Sequence, residues 1–294
     1  MSQNLYDKII NHLVSFYILK PSIEPCLIDT NVATRTSKGT DYAIRMFRKY
    51  INKIKLKYDK FYVLKFDISK YFYNIDHNIL KKILKRKIKD RDALDIVYKI
   101  IDSTNDNYIN DYIDLLINKF KEKIGNEKII EELYRLPRYK YGKGLPIGNM
   151  TSQILAIFYL NDLDHYIKEK LGIKFYIRYM DDGILIHPNK KYLNFCLQEI
   201  RKILRVEYKL ELNKKTKLYS SDENIEFLGF MFKLSNKKLI IKVRTSTKKR
   251  FKKKIKKLRL TNYEKYKHVI ASYNGHLAYA NSKNLIYENL NKFN

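Results

Sequence analysis

The pattern of apolar and polar positions divides the chain into helical stretches separated by a few short β-like runs. Residues 1–25 read as helix ending near Pro21 and Pro25, and residues 28–40, IDTNVATRTSKGT, read as a polar loop. Ala43, Met46, Phe47 and Tyr50 then share one helical face. The run FYVLKFDI at 61–68 is rich in β-branched and aromatic residues and predicts a buried strand ending at Asp67. Asp76 suits the N-cap of the next helix, whose stripe is Ile79, Leu80, Ile83 and Leu84.

Residues 90–136 are helical by pattern, with a weak spot at 103–107. Gly142, Gly144, Pro146 and Gly148 form a concentrated turn region. It opens into one apolar helix over about 151–171, with Gly172 as its stop. Residues 173–187 predict a hairpin around Met180-Asp181-Asp182-Gly183. A helix over 192–206 follows, then the segment 210–220, one strand over 225–232 and a turn at Ser235-Asn236. The last fifty residues read as a separate basic helical region with Phe251, Ile255 and Leu258 on one stripe. No internal repeat or long linker interrupts this order.

The chain has 294 residues, enough for one large or two ordinary domains, and its 45% apolar content supplies a packed core. No apolar run reaches membrane-spanning length, and the longest lies near 154–160. The N-terminus lacks the features of a secretory signal. Cys26 and Cys196 form no metal-binding or redox spacing. The expectation is a cytoplasmic protein with reduced cysteines and no membrane partner.

Charge changes the picture more. Sixty Lys and Arg against 31 Asp and Glu give +29 at neutral pH, a field that draws polyanions. A coding bias toward lysine, visible also in the many Ile, Asn and Tyr, supplies part of that excess. It does not explain where the remaining acids stand. Asp67 closes an apolar strand, and Asp181 and Asp182 occupy a hairpin tip. If both belong to one sheet, the three carboxylates meet at one edge. Phosphoryl transfer to a 3′-hydroxyl uses two divalent cations roughly 3.5–4 Å apart, held by such carboxylates. Taken singly, a helix cap and an ordinary turn would also account for these acids.

Five segments in register carry a family resemblance. Phe66-Asp67-Ile68-Ser69-Lys70-Tyr71-Phe72 and Tyr179-Met180-Asp181-Asp182 resemble the two catalytic motifs of reverse transcriptases. Gly144-Leu145-Pro146-Ile147-Gly148 through Gln153 resembles the motif between them. Leu212-Asn213-Lys214-Lys215-Thr216 and Glu226-Phe227-Leu228-Gly229-Phe230 resemble the two that follow. The resemblance covers about residues 30–290 and implies an α+β right-hand polymerase fold. Its parts would be fingers (1–60), palm with the first catalytic motif (61–90), a fingers/palm helical segment (91–145), palm with the second motif and an antiparallel sheet (146–240), and a small helical thumb (241–294).

It further implies that Asp67, Asp181 and Asp182 bind two Mg²⁺ ions, for which Mn²⁺ can substitute, with the backbone of Ile68 facing a metal. Phe72 would block a ribose 2′-hydroxyl; a core aromatic is the other reading. Arg35 and Lys38 would cradle the dNTP triphosphate, against a solvated basic loop. Ile147, Gly148 and Gln153 would pack under the nucleotide and template. Lys214 or Lys215 is a candidate general acid for pyrophosphate, among many lysines. Asp76, His77 and Asp162 fit capping or surface roles better than catalysis. Nine Lys and Arg lie between Lys248 and Arg259, and Lys248, Lys249, Arg250, Lys252, Lys253 and Lys256 would line the template–primer duplex.

The intervening motif is most similar to the reverse transcriptases of diversity-generating retroelements. An aliphatic residue and Gly148 stand where many bacterial enzymes have Gln-Gly, followed by Ser152-Gln153, and Arg35-x-x-Lys38-Gly39-Thr40 fits the same group. Such enzymes copy a template RNA with errors opposite adenine, and the cDNA replaces a variable region of a target gene. The implied partners are the RNA template, a DNA or RNA primer, dNTPs and a small basic oligomeric accessory protein. Ser272-Tyr273-Asn274-Gly275-His276 with Asn281 resembles the thumb end of several compact bacterial reverse transcriptases, and no maturase or endonuclease extension is expected. The alternatives are a phage-defence or retron-like reverse transcriptase, a non-catalytic RNA-binding scaffold and an RNA-templated RNA polymerase, against which Phe72 argues.

Overall fold

The apolar run at 61–68 forms β1 (Tyr62–Asp67) in the computed structural model, which describes residues 5–105, 108–123, 126–235 and 238–280. β1 lies inside a four-stranded antiparallel sheet of order β2-β3-β1-β4, with β2 (Phe175–Tyr179), β3 (Asp182–His187) and β4 (Lys217–Ser220). Side chains alternate between the two faces. Leu64, Phe66, Tyr176 and Leu185 join one apolar core, while Val63, Ile177, Ile184 and Ile186 join a second.

The first core is closed by the N-terminal helices and by α-helices from the middle of the chain. α1 (Leu5–Leu13) runs on through a π-helical turn (Val14–Leu19) and short helical pieces ending at Cys26. The second core lies under α2 (Thr40–Lys55), whose Ala43, Phe47 and Ile51 are fully buried. There Phe47 meets Phe232 edge-on, with ring centroids 4.7 Å apart. α3 (His77–Lys85) starts at Asp76, whose carboxylate accepts from the backbone N–H of Asn78 and Ile79, as the sequence predicted. α4 (Arg91–Asp102), α5 (Tyr108–Lys123) and α6 (Glu127–Tyr134) fill 90–136. Within the weak spot a 3₁₀ turn spans Ser103–Asn105, and residues 106 and 107 lie outside the described residues.

Three expectations are corrected. The helix over 151–171 is broken into α7 (Met150–Tyr159), α8 (Asn161–His165) and a π-helical turn (Tyr166–Lys170), with Gly172 at φ 58° ending it. The strand over 225–232 is two strands, β5 (Ile225–Phe227) and β6 (Phe230–Ser235), facing each other across Leu228 and Gly229. Those residues have φ of 47° and 85°. Two consecutive positive φ values match the twist of a two-residue hairpin, and Gly229 takes one without a Cβ penalty. Apolar Leu228 hid the turn from the pattern. β7 (Lys238–Val243) completes this second sheet, and Asn236 of the predicted turn lies outside the described residues.

Third, the C-terminal region is not separate, because its helices pack into the second core. After α9 (Lys190–Glu207) and the second sheet come α10 (Thr245–Thr261) and α11 (Tyr263–Leu277). Phe251 and Ile255 of α10 share the second core with β5, β6 and β7, and Phe251 lies 4.4 Å from the Tyr273 ring. Residues 272–276 belong to α11, whereas Asn281 lies outside the described residues. Cys26 and Cys196 are free, and among the described residues no helix is long and apolar enough to cross a membrane.

Candidate active site

The antiparallel register builds the site. Tyr179 pairs with Asp182 across β2 and β3, so Met180 and Asp181 alone make the turn, with Met180 at φ 55°. Asp182 in turn pairs with Asp67 across β3 and β1. Directly opposed residues share a face, about 4.5–5.5 Å apart at Cβ. Asp67 and Asp182 therefore stand side by side at the end of the face covered by α2, with Asp181 one residue away in the turn.

These acids perturb one another. Burial, aided by the charges of Asp182 and Asp67, pushes the Asp181 carboxyl up to about 6. Asp182 is also raised, first by burial and then by Asp67, against the opposing pull of Lys65. Lys65 Nζ lies 3.4 Å from Asp182 Oδ1, and Lys215 also lowers Asp182. As they stand, no three His, Cys, Asp or Glu side chains among the described residues converge on one metal-sized point. The donor set nonetheless suits a hard divalent cation, because it is all oxygen and burial and mutual charge hold Asp181 and Asp182 up despite Lys65.

The hairpin tip rests on a buried ion pair that the sequence reading missed. Arg178 and Asp164 are both 0% exposed. Arg178 donates to Asp164 through Nε and Nη2, each at 2.7 Å, and through Nη1 to the Met180 carbonyl at 2.8 Å. Tyr176 donates its hydroxyl to Asp164 at 2.7 Å. The only signal available was an arginine inside an apolar strand, because its partner lies on another element. Asp162, by contrast, is exposed and pairs with Arg86 at 3.0 Å, as predicted. His77 is corrected: it is not a surface residue but 2% exposed.

Gly183 opposes Phe66, and a Cβ there would lie 2.1 Å from the Phe66 ring. Gly183→Ala must therefore push the ring or the hairpin aside, at about 1–3 kcal/mol of stability. Denaturant unfolding checks this, and an unchanged midpoint would disprove it.

The remaining candidates fall around this edge. The loop 28–40 docks on β2: Val32 N–H donates to Arg178 O and Arg178 N–H to Thr30 O, both at 3.0 Å. Thr40 Oγ1 reaches the Tyr179 hydroxyl at 3.3 Å. Within this loop Arg35 donates to the Ile28 and Asn31 carbonyls, while Lys38 binds Asp29 at 2.6 Å. Both cations thus face their own loop. Phe72 is half-buried in a short helix, Tyr71–Asn74, and Ile68 is buried and bridged to Leu212. Ile147 is 49% exposed, Gly148 has φ 104°, and Gln153 is half-buried in α7.

Segment 211–216 is tied to the first acid: Asn213 N–H donates to Asp67 O at 2.7 Å and Asp67 N–H to Thr216 Oγ1 at 3.3 Å. Lys214 and Lys215 are both exposed, and of the two it is Lys215 whose charge acts on Asp182. On α10, Lys249, Arg250, Lys252, Lys253 and Lys256 are exposed and Lys248 is half-buried, opposite Phe251 and Ile255.

Residues 4–232 match the family described as reverse transcriptase (RNA-dependent DNA polymerase). The chain belongs to the reverse transcriptase family. The match spans both catalytic motifs, and the α+β architecture is that of a right-hand polymerase. This reverse transcriptase is similar to the COX1/OXI3 intron 2 protein of Saccharomyces cerevisiae, 24% identical over 202 residues, 58% of this chain and 24% of that protein. It is also similar to the protein YkfC of Escherichia coli, 25% identical over 201 residues, 57% of this chain and 46% of that protein. The aligned region thus spans less than half the length of either curated relative. Among solved structures it is similar to telomerase from Candida albicans (13% identity, TM-score 0.46, covering 92% of this chain and 46% of that one). It is similar as well to apo telomerase from Candida tropicalis (16% identity, TM-score 0.47, covering 82% and 40%).

Proposed function

We propose that this reverse transcriptase is an active RNA-directed DNA polymerase whose reaction is run by Asp67, Asp181 and Asp182. The observation that carries this reading is the strand register that sets Asp67 opposite Asp182 with Asp181 in the adjoining turn. The three carboxylates and the Ile68 backbone would hold two Mg²⁺ ions, or Mn²⁺ in their place. When bound, these cations activate the 3′-hydroxyl and neutralise charge on the triphosphate. Lys215, whose charge acts on Asp182, is the better placed of the two lysines to give a proton to pyrophosphate. Arg35 and Lys38 would release their loop partners to bind the triphosphate, and Phe72 would exclude the ribose 2′-hydroxyl. In this reading the fingers, palm and thumb would occupy the ranges that the motifs imply, and the basic face of α10 would track the duplex. Primer extension on an RNA template with dNTPs and Mg²⁺ tests the reading, and no incorporation by the folded wild-type protein refutes it.

The finer reading is the error-prone enzyme of a diversity-generating retroelement, working with a small basic accessory protein. Ile147-Gly148 with Ser152-Gln153 supports it. Similarity to an intron protein supports a second reading, a reverse transcriptase of another mobile or bacterial system. The error spectrum separates them. An exposed Ile147 offers the nucleotide only apolar contact, whereas glutamine adds a hydrogen bond worth about 1 kcal/mol. Ile147→Gln is therefore expected to lower misincorporation opposite template adenine roughly three- to tenfold. Sequencing of extension products measures this, and an unchanged adenine error rate rules out Ile147 as the source of those errors.

A further inference from the structure

The turn segment 142–148 carries Ile147 and Gly148. Asn105 Oδ1 accepts from Gly142 N–H at 2.7 Å, and the Tyr139 hydroxyl donates to Leu145 O at 3.1 Å and accepts from Ile147 N–H at 3.4 Å. Its backbone pairing is with residues 72–77. Leu145 N–H donates to Phe72 O at 2.8 Å, Gly144 N–H to Ile75 O at 2.8 Å and His77 N–H to Gly142 O at 3.0 Å. Asp76 and Lys143 form an isolated antiparallel bridge beside them. This short ladder leaves the Gly144 carbonyl inside the protein, and the His77 side chain meets it.

His77 Nε2 lies 2.7 Å from Gly144 O, and the Thr104 hydroxyl donates to the same oxygen at 3.0 Å. A carbonyl oxygen only accepts, so Nε2 carries the hydrogen and both lone pairs of Gly144 O are used. Behind the ring, Asp102 Oδ1 stands 3.3 Å from Nδ1, and Lys81 holds the other oxygen of Asp102 at 2.5 Å. Gly144 is itself irreplaceable: it has φ 90°, and a Cβ would lie 2.7 Å from the Tyr139 ring. Asp102, His77 and Thr104 are spaced like a nucleophilic relay. Thr104 is only 3% exposed and spends its proton on Gly144 O, so the group serves no substrate.

We propose that His77 is a positioning residue for nucleotide selection: its bond to Gly144 O fixes the Ile147-Gly148 loop relative to Phe72. The inference rests on the polymerase reading above, in which these residues face the nucleotide. Phe72 and His77 belong to one short stretch, so the ring beside the sugar and the loop beneath the base move as one body. Removing the imidazole frees the loop without removing any group that touches the nucleotide. The dNTP KM then rises more than kcat falls, and discrimination against ribonucleotides weakens.

The test compares wild type with His77→Ala, His77→Gln, Thr104→Val and Ile200→Ala. Ile200 is buried on α9, which packs on β1 and β3, so its truncation is a stability control. Two readouts are taken: steady-state kinetics with dNTPs and rNTPs on an RNA template, and hydrogen exchange of the backbone amides of residues 144, 145, 147 and 148. His77→Ala is expected to raise the dNTP KM about 10- to 100-fold, the range for displaced binding groups, and to speed exchange in the loop. His77→Gln keeps a donor and recovers most of both. Thr104→Val shifts both in the same direction but less, and Ile200→Ala shifts neither. If His77→Ala does not fold, Thr104→Val and His77→Gln decide between the outcomes. Loop exchange in His77→Ala and Thr104→Val no faster than in Ile200→Ala overturns the clamp. Faster exchange with a wild type that cannot polymerise keeps the clamp and removes the polymerase reading, and with it the role in selection.

Discussion

Asp181→Asn is expected to lower RNA-templated dNTP incorporation by on the order of 10³-fold or more while making the metal-free protein more stable. The loss follows from removing a carboxylate that would bind the cations, whose charge stabilisation is worth several kcal/mol. The gain follows from burial. Asp181 titrates at about 6 in the folded protein against an ordinary 3.8, so the folded state holds this proton more tightly than the unfolded state does. Stability from this group is therefore present at low pH, falls as pH rises from about 4 to about 6, and stays diminished above that. Asparagine carries no such penalty. Above pH 6 the variant should melt a few degrees higher, about 2–4 °C for each kcal/mol recovered, and the difference should vanish near pH 4. Mg²⁺ should raise the melting temperature of wild type more than that of the variant, because it binds the folded carboxylates. Thermal melts at pH 4 and 8, with and without Mg²⁺, check the stability claim. Equal incorporation by the two proteins would refute the catalytic assignment.

Arg178→Met is expected to cost about 3–5 kcal/mol, because it leaves the Asp164 carboxylate buried without its partner. Asp164→Leu should cost a similar amount. The double variant should recover much of the loss, since an apolar pair of similar volume often replaces a buried ion pair without penalty. Urea unfolding of all four proteins gives the coupling energy directly. Activity should not recover in parallel, because Arg178 also holds the Met180 carbonyl beside Asp181. If Arg178→Met unfolds at the wild-type urea midpoint, the pair does not anchor the hairpin. If the double variant regains stability and full activity together, the contact with Met180 is idle.

Features set by neighbours in the chain were legible in the sequence, and those set by distant partners were not. β1, β2 and β3 were legible because β-branched and aromatic content is local, and motif order brought Asp67 to the hairpin before any pairing was known. The cap at Asp76 was legible for the same reason. The Arg178–Asp164 pair was not, because a buried charge is recognisable only with its partner, and that partner sits on a helix whose break at Leu160 the apolar pattern concealed. His77 was hidden in the same way. Its partners Gly144 and Thr104 lie 67 and 27 residues away, and a histidine after a helix cap reads as exposed. Leu228 misled by being apolar in a turn, where only Gly229 gave the signal. Arg35 and Lys38 show the converse. The positive charge of the loop was readable, but its engagement with Asp29 and backbone carbonyls was not.

The docking of residues 30–32 along β2 has a consequence for the sheet itself. β2 is the last strand on its side of the sheet, and its outward N–H and C=O groups would otherwise be open to pairing with another chain. Thr30 and Val32 take up the two outward backbone groups of Arg178, and at the opposite margin the exposed Lys217 marks β4 as a charged edge. The segment that carries Arg35 and Lys38 thus doubles as a guard against self-association. Shortening the protein from its N-terminus past this segment would strip away two candidate triphosphate ligands and also leave an adhesive strand margin, so that aggregation and inactivity would arrive together for separate reasons.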